Sequence, residues 1–117
     1  MTIKLKRAYE PPESGDGARF LVDALWPRGV KKADLALDGW LKEVAPSSEL
    51  RRWFGHDIAK WEEFRRRYTD ELDRLDPETY RPLLDAARAG TLTLIYGARD
   101  EEHNNAVVLR EYLQRKL

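Results

Sequence analysis

The spacing of apolar residues changes several times along this chain, and each change marks a predicted element. Ile3, Leu5 and Ala8, interleaved with Lys4, Lys6 and Arg7, read as a half-buried first strand at a sheet edge. Pro11-Pro12 and Ser14-Gly15-Asp16-Gly17 then form a loop. That loop is short for a helical crossover, which predicts a first strand antiparallel to the next. Phe20-Leu21-Val22 opens a continuous apolar strand closed by Pro27 and Gly29. Continuous rather than alternating burial predicts a central strand covered on both faces. Leu37, Trp40, Leu41 and Val44 fall at helical spacing, but Gly39 interrupts them and Ala45-Pro46 stops them, so periodicity alone predicts a short helix.

Ser48 predicts the N-cap of a helix through Leu50, Trp53 and Phe54 that ends at Gly55. Asp57 to Arg74 carries the clearest helical stripe, with Trp61, Phe64, Tyr68, Leu72 and Leu75 at steps of three and four. Asp76-Pro77 opens a further helix that Gly90 closes. Leu92, Leu94, Ile95 and Tyr96 predict a short buried strand, and a last helix runs from about Glu101 to the C-terminus. No internal repeat interrupts this order. It predicts a single domain over residues 1–117: a compact three-layer α/β/α fold around a small, mostly parallel sheet.

Charge narrows the partners. Lys+Arg and Asp+Glu number 21 each, so no global field draws the chain to nucleic acid or an anionic membrane. Charged residues make up 36% of the chain, well above the roughly 25% of an average protein, which predicts a densely charged surface. Cysteine is absent, which removes disulfides, thiolate metal sites and cysteine nucleophiles. Met1 to Tyr9 lacks the apolar stretch of a signal peptide, and no apolar run is long enough to span a bilayer, so the expected location is the cytoplasm.

Three stretches put chemically able residues just beyond a predicted strand or apolar run: Asp23 to Gly29, Ala45 to Ser48, and Tyr96 to Asn104. In an open α/β sheet, ligands bind beyond the carboxyl ends of the strands. Pro27 fixes its own φ and Gly29 frees the backbone to turn, which presents Arg28, whose planar fork suits a phosphate or carboxylate and equally an internal ion pair with Asp23 or Asp38. Asp100 reads as an N-cap with Glu101 and Glu102 at the positive end of the helix dipole. Capping demands neither His103 nor Asn104, and an imidazole there suits acid–base work. One of Ser47 and Ser48 caps a helix, leaving the other for an anion. Arg65-Arg66-Arg67 is flanked by Glu62, Glu63, Asp70 and Glu71 at helical spacing and reads as a self-neutralised face. His56, His103 and scattered carboxylates lack the clustering of a metal centre, and no cofactor is expected.

Leu21-Val22-Asp23-Ala-Leu-Trp26-Pro27-Arg28-Gly29, Trp40-Leu41-Lys42, Ala45-Pro46-Ser47, Leu50 through Asp57, and Tyr96 through Asp100 with His103, Asn104 and Ala106 together resemble the YeaO-like branch of the domain of unknown function 488 family. The resemblance covers nearly the whole chain. It implies an α/β/α fold in which Asp38 to Val44 is a strand, and we follow it there. It implies no reaction, because the family has no established biochemical activity. Wider members often carry a strand-end cysteine and a Cys-His-Arg run, where this chain has Tyr96 and His103-Asn104.

The leading expectation is a pocket for an anionic, phosphate- or nucleotide-like metabolite, with hydrolysis or transfer as its chemistry. Arg28 would hold the anion with Ser47 and Lys42, and Trp26 beside it completes that group. Asp23 or Asp100 would orient His103 as general acid or base, and Tyr96 and Asn104 would position the substrate. The alternative is a non-enzymatic regulatory or interaction module, with the tryptophan-rich middle region as a homodimer or partner surface. Nucleic-acid binding ranks last.

Overall fold

The computed structural model describes residues 1–117. β1 (Thr2–Arg7), β2 (Ala18–Leu21), β3 (Gly39–Trp40) and β4 (Thr91–Tyr96) form one four-stranded sheet in the order β1-β4-β2-β3. Every pairing is parallel. β4 is buried from Leu92 to Tyr96, which accounts for its continuous apolar run. The helices are α1 (Lys32–Leu35), α2 (Ser48–Phe54), α3 (Trp61–Arg74), α4 (Arg81–Ala89) and α5 (Asn105–Lys116). The α/β class with a small parallel sheet is as the sequence predicts.

The first strand does not run antiparallel to the second. β4 lies between them, so the segment from Ala8 to Gly17 crosses over β4 and rejoins the sheet in the same direction. Two strand spacings are only about 10 Å. A chain that extends roughly 3.3 Å per residue covers that without a helix. Gly17 makes the landing close: it sits at φ 63°, and a Cβ there would come within 2.2 Å of the Thr91 carbonyl oxygen. β3 is shorter than the resemblance implies, and the helical spacing has a different cause. Only Gly39 and Trp40 pair with β2, and a 3₁₀ turn follows at Lys42–Val44. Gly39 is needed because a Cβ there would meet the Phe20 ring at 2.8 Å.

The two faces of the sheet are covered differently. Ile3, Val22, Leu92, Leu94 and Tyr96 join α2 to α5 in a core of 21 buried residues. On the other face Ala8, Leu21, Leu35 and Ile95 form a small cluster, with Trp26, Val30, Leu37 and Trp40 packed against it. That layer consists of α1 and loops.

The same face holds a buried ionic cluster. Lys6 Nζ lies 3.0 Å from the Asp16 carboxylate and 2.6 Å from Glu13, and the Arg19 guanidinium donates to Asp16. Arg19 Nε and Nη2 also donate to the Leu35 carbonyl, tying α1 to the sheet. Burial pushes the Asp16 carboxyl up, but hydrogen bonds from the Glu13 amide, Lys6 and Arg19 outweigh it, and the net shift is downward from 3.8. The Thr93 hydroxyl donates to the Asp16 carbonyl at 2.7 Å, fixing the crossover to β4.

Removing Asp16 leaves the buried Arg19 guanidinium without a carboxylate and Lys6 with Glu13 alone. Asp16→Ala should cost about 3–5 kcal/mol in urea denaturation. A cost below about 1 kcal/mol would show that the cluster contributes little.

Candidate functional site

β2 and β4 are parallel neighbours, so their carboxyl ends leave the sheet side by side. The Val22 amide donates to the Ile95 carbonyl and extends the ladder to Asp23. Asp23 then gathers the surrounding elements. Its Oδ2 accepts from the Gly97 amide at 2.8 Å, and its Oδ1 accepts from Asn105 Nδ2 at 3.1 Å. The Trp40 indole donates to the Asp23 carbonyl at 2.7 Å. Gly97 permits the approach, since a Cβ there would sit 3.2 Å from Asp23 Oδ2. Burial raises the Asp23 carboxyl above its ordinary 3.8, against the Gly97 and Asn105 hydrogen bonds and the charges of Arg51 and His56.

Beside this latch lies a cavity of about 330 Å³. Asp23, Arg51 and His56 supply its ionisable groups, and Phe54, Phe64 and Leu25 its larger apolar surface. α2 brings Arg51 and Phe54 to the cavity one turn apart. Arg51 Nε donates to the Pro46 carbonyl, which holds the guanidinium in place and leaves its terminal nitrogens available. No direct ion pair joins Arg51 to Asp23. Gly55 closes α2 at φ 53°, and His56 follows at φ 56°. A left-handed residue other than glycine costs on the order of 1 kcal/mol, and such residues concentrate at functional positions. No group of three His, Cys, Asp or Glu side chains gathers to hold a metal ion.

The structure distributes the expected site residues unevenly. Asp23 and Asn104 line the cavity. The Asn104 amide is already engaged: Nδ2 donates to the Asp100 carbonyl and Oδ1 accepts from the Val107 amide as the N-cap of α5. α5 therefore starts about one turn later than Asp100 suggests. Asp100 instead closes a bend, accepting from the Glu102 and His103 amides, and these bonds, the Glu102 amide foremost, hold its carboxyl below 3.8. His103 Nδ1 lies 3.0 Å from Asp100 Oδ2, and its ring stands edge-on to Trp61 at 5.2 Å. This pair forms as the sequence suggests, but neither residue lines the cavity.

Arg28 is exposed and lies outside the cavity, and its carbonyl accepts from the Tyr9 hydroxyl. It pairs with neither Asp23 nor Asp38, whose carboxylate takes the Arg19 amide. Trp26 donates to the Val30 carbonyl and meets Trp40 edge-on at 5.3 Å, and Lys42 Nζ lies 4.2 Å over the Trp40 ring. Tyr96 is buried in the main core, and burial pushes its hydroxyl up. Ser47, not Ser48, caps α2. The anion position there is filled from within, because Glu71 accepts from the Ser47 amide at 2.8 Å and from its hydroxyl at 2.6 Å. The arginine run is neutralised by Glu63, Asp70 and Glu111. Trp61 is buried, and Trp53 is covered by Lys60 and Arg67.

Sequence reasoning missed Arg51, His56 and Asn105. Arg51 and Phe54 are three apart and share a helix face, and His56 follows a helix-stopping glycine. Those are the signals that could have found the first two.

The family model described as the inactive DUF488-N3 subclade matches residues 2–117. The chain is 47% identical over 114 residues to the uncharacterized protein YeaO of Escherichia coli (strain K12), covering 97% of this chain and 98% of that protein. It is 35% identical over 111 residues to the uncharacterized protein Rv3073c of Mycobacterium tuberculosis (strain ATCC 25618 / H37Rv), covering 95% of this chain and 92% of that protein. No solved structure matches. No helix is long and apolar enough to cross a membrane.

The raised Asp23 carboxyl has a pH signature. Below its ordinary value near 3.8 the group is protonated folded and unfolded alike. As pH climbs through the elevated folded value, the native state must hold a buried carboxylate, and the stability contributed by this group falls. Asp23→Asn removes that loss, so the variant should gain on the wild type as pH rises, on top of a pH-independent offset. Urea denaturation across pH checks this, and a constant difference would refute it.

Proposed function

The chain belongs to the DUF488 family, and on that premise we propose that it is a cytoplasmic, non-catalytic binding protein whose strand-end cavity holds a small anionic molecule. Arg51 carries the reading. Its guanidinium is fixed through Nε to the Pro46 carbonyl, and its terminal nitrogens remain to grip a carboxylate or phosphate. Gly97, Ala98 and Asp23 place the cavity beyond the strands, where α/β sheets bind ligands. A binding role is supported by the lining, which includes no hydroxyl, thiol or amine side chain and whose one carboxylate, Asp23, is already tied to the Gly97 amide and Asn105. The subclade's description as inactive supports the same view.

A second reading, a hydrolase or transferase, is favoured by the Asp100–His103 contact at 3.0 Å. Asp100 holds Nδ1 and so orients Nε2 as a general acid or base. Turnover of phosphate esters that falls at least about a hundredfold in His103→Ala would establish it.

Thermal unfolding with inorganic phosphate or a simple carboxylate tests the binding reading. At tenfold the dissociation constant a ligand should add about 1.4 kcal/mol and raise Tm by several degrees. Arg51→Ala should abolish the shift, while Arg28→Ala should retain it. An equal response in wild type and Arg51→Ala would overturn the assignment. Loss in Arg28→Ala alone would move the site to the Trp26–Gly29 turn.

A further inference from the structure

The cavity carries two opposite charges that do not meet. Arg51 and Asp23 both line it, yet no ion pair joins them. Each is braced from behind by the protein: Arg51 through Nε to Pro46, Asp23 through Gly97 and Asn105. Each also keeps unused capacity. The guanidinium has its terminal N–H groups, and each Asp23 oxygen takes one protein hydrogen bond and can accept another. A simple anion gripped by Arg51 would leave the Asp23 carboxylate unanswered and bind less tightly than a ligand that also carries a cation. A simple cation at Asp23 would meet Arg51. A molecule bearing both charges satisfies both ends.

Size and wall chemistry narrow the class further. A cavity of about 330 Å³ lies at the small end of ligand pockets and admits a free amino acid. The lining also supplies apolar surface: Phe54 and Phe64 stack with ring centroids 4.3 Å apart, and Leu25 stands at the cavity with 68% of its surface exposed. Apolar walls with a few placed polar groups are the usual make-up of a small-molecule site.

We infer that the cavity takes a small zwitterion, an apolar α-amino acid or a close analogue, with its carboxylate on Arg51 and its ammonium on Asp23. This rests on the binding reading above and specifies its ligand. The side chain lies against Phe54 and Phe64. The protein recognises separation of charge rather than net charge, and no bond is made or broken.

The test uses the full chain and a matched set of probes in calorimetry and thermal unfolding: leucine, phenylalanine, N-acetyl-leucine, 3-methylbutylamine, 4-methylpentanoate and inorganic phosphate. Leucine or phenylalanine should bind. N-acetyl-leucine, the amine and the acid, each missing one charge of leucine, should bind at least tenfold more weakly. Asp23→Asn should erase the advantage of leucine over 4-methylpentanoate, and Arg51→Ala its advantage over 3-methylbutylamine. If Asp23→Asn fails to fold, the wild-type series decides alone. Phosphate or 4-methylpentanoate binding as well as leucine would overturn the zwitterion and leave the anion site standing. Silence from every probe would overturn both.

Discussion

Two parallel strands that end side by side leave backbone groups without ladder partners, and in this fold the carboxylate of Asp23 collects them. It receives the first amide beyond β4 and the amide side chain at the start of α5, while its own carbonyl is held by the Trp40 indole. β2, β3, β4 and α5 are thereby fixed to one another at the edge of the cavity. The constraint is electrostatic as well as geometric. A half-buried carboxylate is costly unless donors surround it, and the residues that supply those donors are the ones that shape the site. Gly97 belongs to the same arrangement, since a side chain there would crowd the Asp23 oxygen.

The sheet meets different demands on its two faces. α2 to α5 bury one face in an ordinary apolar core. The other is crossed by a chain segment without a long helix, and a segment that short cannot supply an apolar layer of its own. Lys6, Asp16 and Arg19 fill part of the space instead, with every buried polar side-chain atom hydrogen-bonded. Such a cluster tolerates burial only as a complete set. It therefore holds the crossover in one position where a looser apolar contact could slide.

Much of this architecture was legible in the residues. The apolar stripe of α3, the glycine that ends α4 and the run at β4 are local signals that mark their elements, but Asp57 and Asp76-Pro77 open separate 3₁₀ turns, and α3 and α4 begin only at Trp61 and Arg81. Strand-end logic also pointed to Asp23 and the stretch after Tyr96, and both Asp23 and Gly97 line the cavity. It failed on which cation faces the cavity. Arg28 is nearer to β2 in sequence, but the packing of α2 against α3 decides that Arg51 lies at the cavity, and no spacing within either segment reports that. Ser47 had the right chemistry for an anion and was answered by Glu71, whose approach depends on the same helix packing. The direction of β1 was misjudged because loop length was weighed as if the first two strands were neighbours.

That interposed strand has a consequence for how the molecule comes into being. β1 and β2 touch through β4 rather than through each other, with Thr2 in register with Thr91 and Ala18 with Leu92. On a ribosome, the amino-terminal strands wait with unsatisfied edges until the segment beyond Gly90 emerges. Only with β4 in place does the four-stranded sheet close. Contacts so distant along the chain slow assembly and prolong the exposure of unpaired strand edges.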